Sequence, residues 1–366
     1  MSLSVLSSSS PRHRAASVAP VPAPAGTHRL ARGHVSVLLD RRTLAANVLL
    51  LAALLVASLT YLCLGERHLS PLAVLAVLQG QGEGLANFLV AALRLPRLGA
   101  ALATGAAFAL AGCLMQTLAA NRLATPGIIG IDNGATAFAV ASVVGLGVGM
   151  APPAMALAGA TTATVLTFGL ALGGGTQGYR FIVAGIGVGA VFGAITNLLL
   201  ARVAIDVANA AYPWTVGSLS ARPEGAVRLL VVGLALGVPV ALALSRSLRL
   251  MGFSESVARS LGTRLGLRRV QVLSTSVVLT ALAVAVAGPV GMVGLVGPEL
   301  ARHLASPRRV PVLASALAGA LIMVLADLAG RLMLAPLEIP VGIVTAVVGG
   351  PWLLWILIRP RRHGVA

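Results

Sequence analysis

Charged side chains are scarce in this sequence, and they are the residues able to do chemistry. Ten acidic and 27 basic residues are spread over 366 positions, and every basic one is arginine. Two groups stand out by spacing. Arg94 and Arg97 are one helical turn apart, and so are Asp327 and Arg331, with Glu338 a little further on. On a helix Asp327 and Arg331 share a face and can pair. Guanidinium forks match carboxylates, so the chemistry of this group is ion pairing and docking rather than bond making. The second group is RSLRLMGFSESVARSLGTRLGLRR, from Arg246 to Arg269. Ser254 suits an N-cap, Glu255 the positive end of a helix dipole, and Gly262 a left-handed stop. Phe253, Val257 and Leu261 recur on one face of the short helix so defined. A helix this short needs a surface to lie against. No cluster of His, Cys and carboxylate has metal-ligand spacing, and no GxxxxGK[ST] loop is present to bind and hydrolyse ATP.

These groups are set in a chain that is 57% hydrophobic and 10% charged, with a mean hydropathy of +0.94. That composition excludes an ordinary soluble domain and predicts an all-α polytopic membrane protein. Arginines flanking apolar spans account for the net charge of +17 through the positive-inside rule and attraction to anionic lipid. Nucleic acid is therefore not an expected partner. Cys63 and Cys113 fall in apolar stretches and read as packing residues.

Residues 1–42 are rich in Ser, Pro and Ala and carry scattered arginines, which predicts a disordered basic cytoplasmic tail. The membrane-spanning region follows at 43–360, with 361–366 as a short cytoplasmic end. Apolar runs predict spans at Thr43–Gly65, Leu98–Asn121, two between Arg122 and Arg180 turning at Gly145–Pro153, then Phe181–Ala201 and Gly225–Ser245. Val270–Pro298 is too long for one span and short for two, at about 20 residues each, and is broken at Gly288-Pro289 and Gly297-Pro298. Two crossings there put most of the arginines on one side, as the positive-inside rule asks. Spans near 309–331 and 338–358 complete ten, with both termini in the cytoplasm. Arg94, Arg97 and Arg331 then share the outer rim, and the 246–269 stretch lies inside. Buried ionisable pairs suited to an ion relay are missing, Asp132 and Glu299 being the exceptions, so an ion-coupled secondary transporter is the weaker alternative.

In this order the motifs resemble one family, the FecCD/BtuC-type permease subunits of type II ABC importers for iron-siderophores and cobalamin. The likeness covers about residues 44–360. Its pieces are RLPR at Arg94–Arg97, Gln116, NRLATPGIIG from Asn121 through Pro126 to Gly130, and Trp214 with Gly217-Ser218. They continue with GPVGMVGLVGPELAR from Gly288 and Pro289 through Pro298 to Arg302, Asp327, Arg331, and EIPVG from Glu338 through Pro340 to Gly342. The resemblance implies a permease paired with a second copy or a homologue in the bacterial cytoplasmic membrane. It implies two cytoplasmic ATPases that use ATP and Mg, an extracytoplasmic binding protein, and no cofactor or catalytic residue in this chain. A ferric siderophore is the implied substrate, with cobalamin or haem as alternatives. By the same resemblance, Arg94, Arg97 and Arg331 dock the binding protein. Glu255, Ala258, Arg259, Leu261 and Gly262 form the ATPase coupling element, and a gate falls near Gly178 and Tyr179. Two positions depart from the pattern: Arg122 stands in place of Pro, and Glu299 in place of His.

Overall fold

The computed structural model describes residues 27–32, 35–145, 149–171, 179–220, 222–253, 255–307 and 309–358. The N-terminal unit, Met1–Arg41, contains a two-stranded antiparallel hairpin. Its strands are β1 (Thr27–Arg32) and β2 (Val35–Asp40), with Thr27 opposite Asp40 and Arg32 opposite Val35. This differs from the disorder expected over 1–42. The Ser/Pro-rich composition belongs to the first part of that segment, whereas VSVLLD is a β-branched, apolar run suited to a strand.

Among its described residues, the second unit, Arg42–Ala366, consists of helices and the turns that join them. Its helices are α1 (Arg41–Cys63), α2 (Pro71–Leu78), α3 (Gly84–Asn87), α4 (Leu95–Leu118), α5 (Ile131–Val143), α6 (Pro152–Leu170) and α7 (Tyr179–Ala201). After these come α8 (Ile205–Val216), α9 (Glu224–Met251), α10 (Glu255–Ser260), α11 (Leu265–Ala287), α12 (Gly291–Leu304), α13 (Val312–Leu332) and α14 (Val341–Ile358). A π-helical stretch, Phe88–Arg94, joins α3 to α4, making one helix that starts well before the predicted Leu98. Pro96 lies where the π-helical stretch hands over to α4.

Among the described residues, seven helices are long and apolar enough to cross a membrane. The predicted third, eighth and tenth spans correspond to shorter helices: α5 has 13 residues, α12 has 14 and α14 has 18. Backbone breaks explain the two shortest. Gly130 (φ 82°) precedes α5, and Gly288 (φ 74°) with Pro289 separates α11 from α12.

The long helix ending at Leu118 is the centre of the bundle. Of its most apolar window 83% is buried, against 22% for α9. Helix α4 packs on α13, α11, α12 and α9. Small residues permit this: a Cβ on Gly105 or Gly319 would strike the other's carbonyl, and one on Gly112 would strike that of Gly294. In lipid, where apolar burial gives no net drive, such close backbone contact supplies the association. Leu55, Val56, Val232 and Leu236 are exposed on the outer helices, as a bilayer-facing surface requires.

Antiparallel packing puts the two charged groups at opposite ends. Val312 at the start of α13 clusters with Leu114 of α4 and Leu248 of α9, while Asp327, near the end of α13, meets Arg97 at the start of α4.

Candidate functional site

Asp327 is the anchor of the first group. It is 2% exposed, and Arg97 grips it with two parallel bonds, Nε to Oδ2 and Nη2 to Oδ1, both 2.9 Å. The hydroxyl of Tyr61, at the end of α1, donates to the same Oδ2 at 2.6 Å. The remaining Nη1 of Arg97 donates to both oxygens of Glu338, at 3.0 and 2.9 Å, and Ser220 donates to Glu338 at 3.0 Å. The predicted Asp327–Arg331 pair is thus corrected: Asp327 belongs to Arg97. Arg331 instead stacks over the Tyr61 ring, 5.0 Å from its centroid, with Nε 4.0 Å from Glu338. Helical spacing alone could not show this, because the preferred partner comes from the neighbouring helix with bidentate geometry.

Arg94 does different work. Only 5% exposed, it donates to the carbonyls of Leu62 (2.7 Å), Cys63 (3.2 Å) and Arg67 (2.6 Å). Leu62 and Cys63 end α1, so Arg94 satisfies helix-terminal carbonyls and complements the negative end of the dipole. A side chain at Gly65 would meet Arg94 Nη2 at 2.7 Å and Arg331 Nη2 at 3.0 Å. Arg94, Arg97 and Arg331 line one open cavity of about 840 Å³, together with Glu338, Ser220 and Arg222.

Glu338 lies between α13 and α14. Burial pushes its carboxyl up, but Arg97, Ser220 and Arg331 together hold it below the ordinary value. Arg222 was not singled out from sequence. It stacks on Trp214 at 4.2 Å and donates to the Ser218 carbonyl at 2.9 Å, and burial lowers its pKa to about 10. Tyr61 was missed as well, since a tyrosine at the end of an apolar run carries no signal of its partner.

At the other end of the bundle the two departures from the family pattern meet. Glu299 is 3% exposed and accepts from Arg122 at 2.8 Å and Arg302 at 3.2 Å, with His303 Nδ1 at 3.6 Å. Around them the motif residues set the backbone. Gln116 donates to the Gly294 carbonyl at 3.3 Å, and Asn121 Oδ1 accepts from the Leu123 amide at 2.9 Å. Pro126 opens a 3-10 turn, and Pro298 lies within α12. Back at the first end, beside Glu338, the Gly342 amide donates to the Gly217 carbonyl at 3.1 Å, a Cβ on Gly342 would strike the Val216 carbonyl, and the Pro340 carbonyl accepts from the Ile343 amide at 3.0 Å.

Helix α10 carries the predicted coupling residues. The Thr263 amide bonds to Ala258 O at 3.1 Å and the Gly262 amide to Arg259 O at 2.9 Å, with Gly262 at φ 78°. This is a Schellman stop, as the sequence predicts. Glu255 accepts from Arg269 at 2.6 Å and from Arg259 at 3.3 Å, and the Arg269 hydrogen bond first of all lowers its pKa. Ala258 is fully buried, whereas Phe253, Val257 and Leu261 are 62%, 43% and 57% exposed. The apolar stripe is therefore the free face of the helix, not its packing face. Ser254 and Gly178 lie outside the described residues, as does the side chain of Tyr179, which opens α7.

Residues 50–359 match the FecCD transport family. The chain belongs to that family. Its match spans the whole helical bundle, from α1 to the end of α14, and includes both charged groups. Two of its relatives are each 35% identical. One is the achromobactin transport system permease protein CbrC of Dickeya dadantii (strain 3937), over 320 residues, 86% of this chain and 90% of that one. The other is the Fe(3+)-citrate import system permease protein YfmE of Bacillus subtilis (strain 168), over 321 residues, 87% and 96%. A solved structure described as an inward-facing conformation of a metal-chelate type ABC transporter superposes with a TM-score of 0.74. Its sequence identity is 25%, and 87% of this chain and 100% of that one are covered.

Proposed function

We propose that this protein is the membrane permease of an ATP-driven importer that carries a ferric chelate delivered by a binding protein. The relatives named for achromobactin and ferric citrate favour an iron chelate over cobalamin or haem. The observation that carries the reading is the free apolar face of α10, Phe253, Val257 and Leu261, held out by buried Ala258 and a Schellman stop. An exposed apolar patch rimmed by charge suits a protein partner. An ATPase subunit is the partner that the family supplies, with ATP and Mg at its own site. On this reading α10 lies in the cytoplasm and two copies of the permease, or one and a homologue, enclose the path. ATP-driven movement of α10 tilts the attached spans α9 and α11 and exchanges outward and inward openings.

The opposite end receives the binding protein. Arg97 and Arg94 are committed to internal partners and Arg331 packs on Tyr61 beside Glu338, so the part of all three in docking is to shape and charge the cavity. The test is uptake of a ferric chelate into proteoliposomes holding the permease, its ATPase and its binding protein. ATP-dependent accumulation is expected, and uptake that ignores ATP but follows a proton or sodium gradient would overturn the reading.

A further inference from the structure

Arg222, between α8 and α9 at the Arg97 end of the bundle, is a half-buried cation that the chain leaves without a counter-charge. Its guanidinium lies 4.2 Å over the Trp214 ring, and its Nε donates to the Ser218 carbonyl at 2.9 Å. Nη2 is buried and has no hydrogen-bond partner. Burial lowers its pKa to about 10, and no carboxylate offsets that shift, so at neutral pH the group is charged and unpaired. A desolvated charge in that state costs free energy that a hydrogen-bonded anion would recover.

The cavity of about 840 Å³ that Arg222 lines is bordered by six arginines and three glutamates, so cations are in excess. Glu338 holds Arg97 and Ser220, Glu224 holds Arg228, and neither they nor Glu66 pair with Arg222. Leu89, Leu93, Pro96 and Leu219 give the same cavity an apolar wall. Its size falls in the range of small-molecule sites, roughly 300–1,000 Å³. A single acidic side chain from a docked protein would fill little of it.

We infer that the cavity receives an iron chelate that is itself anionic, with one of its carboxylates bonded to the Arg222 guanidinium and its organic frame against the apolar wall. This rests on the transport reading above and adds the charge class of the cargo. Trp214 and Ser218 fix the guanidinium plane. With Nε spent on Ser218, the Nη1 and Nη2 end of the fork is left to match a carboxylate. Arg97 and Arg94 are spent on internal partners and contribute field rather than bonds. That field raises the local concentration of an anion at the outer mouth. A neutral or cationic chelate gains nothing from Arg222.

The test measures binding to the full chain alone, in neutral detergent at low salt, by equilibrium dialysis. One probe is ferric citrate, which is anionic, and the other is a neutral ferric trihydroxamate. Ferric citrate is expected to be retained in preference. R222Q is expected to lose about tenfold or more of that affinity, as removal of a charge-assisted hydrogen bond does. R222K keeps the charge and is expected to keep the preference for the anion, while R202Q, outside the cavity, is expected to change nothing. Melting curves without chelate show whether each variant folds, and the comparison of the two chelates on the wild type needs no variant. Equal retention of the two chelates, or unchanged citrate binding by folded R222Q, would overturn the inference. So would weaker docking of the chelate-free binding protein to R222Q with citrate binding intact, because the carboxylate would then be that protein's. ATP-driven iron uptake without any anion preference would sink this inference alone, whereas uptake that follows an ion gradient would sink the transport reading first.

Discussion

At the level of single residues, the outer arginines have two roles that sequence spacing merges. Arg97 neutralises a carboxylate that is 2% exposed, so removing it strands a buried charge. Arg97→Met is expected to destabilise the permease by about 3–5 kcal/mol, and Arg97→Met with Asp327→Leu by much less. Thermal unfolding in detergent reads both; an equal loss in single and double variants would remove the pairing argument. A docking assay on Arg97 alone is therefore confounded by folding, and Arg331 is the cleaner probe. Glu338 adds a pH dependence of definite sign. Its folded pKa lies below the ordinary 4.5, so its contribution is fully present above that value and is lost as pH falls through the depressed one. Stability is expected to drop below pH 4.5 in the wild type and to do so less in Glu338→Gln, as melting curves across that range will show. The sequence placed these residues at one end of the bundle. It did not reveal which carboxylate each arginine takes, because partners such as Tyr61 and Asp327 are 266 positions apart.

At the level of elements, helix identity was legible wherever an apolar run was long and unbroken, and Gly262 marked the end of α10 by its backbone chemistry. Boundaries were less legible. Arg94 and Arg97 looked like the edge of a span, yet the helix runs through them because carbonyls and carboxylates of neighbouring helices receive their charge. Close packing, too, is invisible to periodicity. Gly112 reads as one more small residue, while in the bundle it touches the Gly294 backbone. Gly112→Val is expected to cost about 1–3 kcal/mol or more through forced separation of α4 and α12. Gly187→Val, where an added Cβ meets nothing within 4 Å, is expected to be near neutral by the same melting measurement. Comparable effects at the two positions would show that helix approach is not what selects glycine at 112.

At the level of the whole molecule, the bundle is a two-ended device in which α4 and α13 run from the Arg97–Asp327 network to the end that carries α10. Backbones approach closely in the glycine-packed centre, while an open cavity lies at one end and the exposed apolar stripe of α10 at the other. That separation makes a prediction that neither a residue nor an element makes alone. Val257 and Leu261 are 43% and 57% exposed, so they contribute little to the fold of the isolated permease. Val257→Ser with Leu261→Ser is expected to leave its melting temperature unchanged. The same variant is expected to weaken assembly with the ATPase at least tenfold, since truncating a buried interface anchor costs about 2 kcal/mol or more. Size-exclusion chromatography of the mixed subunits and chelate-stimulated ATP hydrolysis read the assembly. Full assembly with a normal melting curve would mean that the stripe faces lipid or solvent in the complex, and that force enters the bundle elsewhere. A lowered melting temperature would instead show that α10 is held by its apolar face, leaving exposed charged side chains such as Glu255 and Arg259 for a partner to meet.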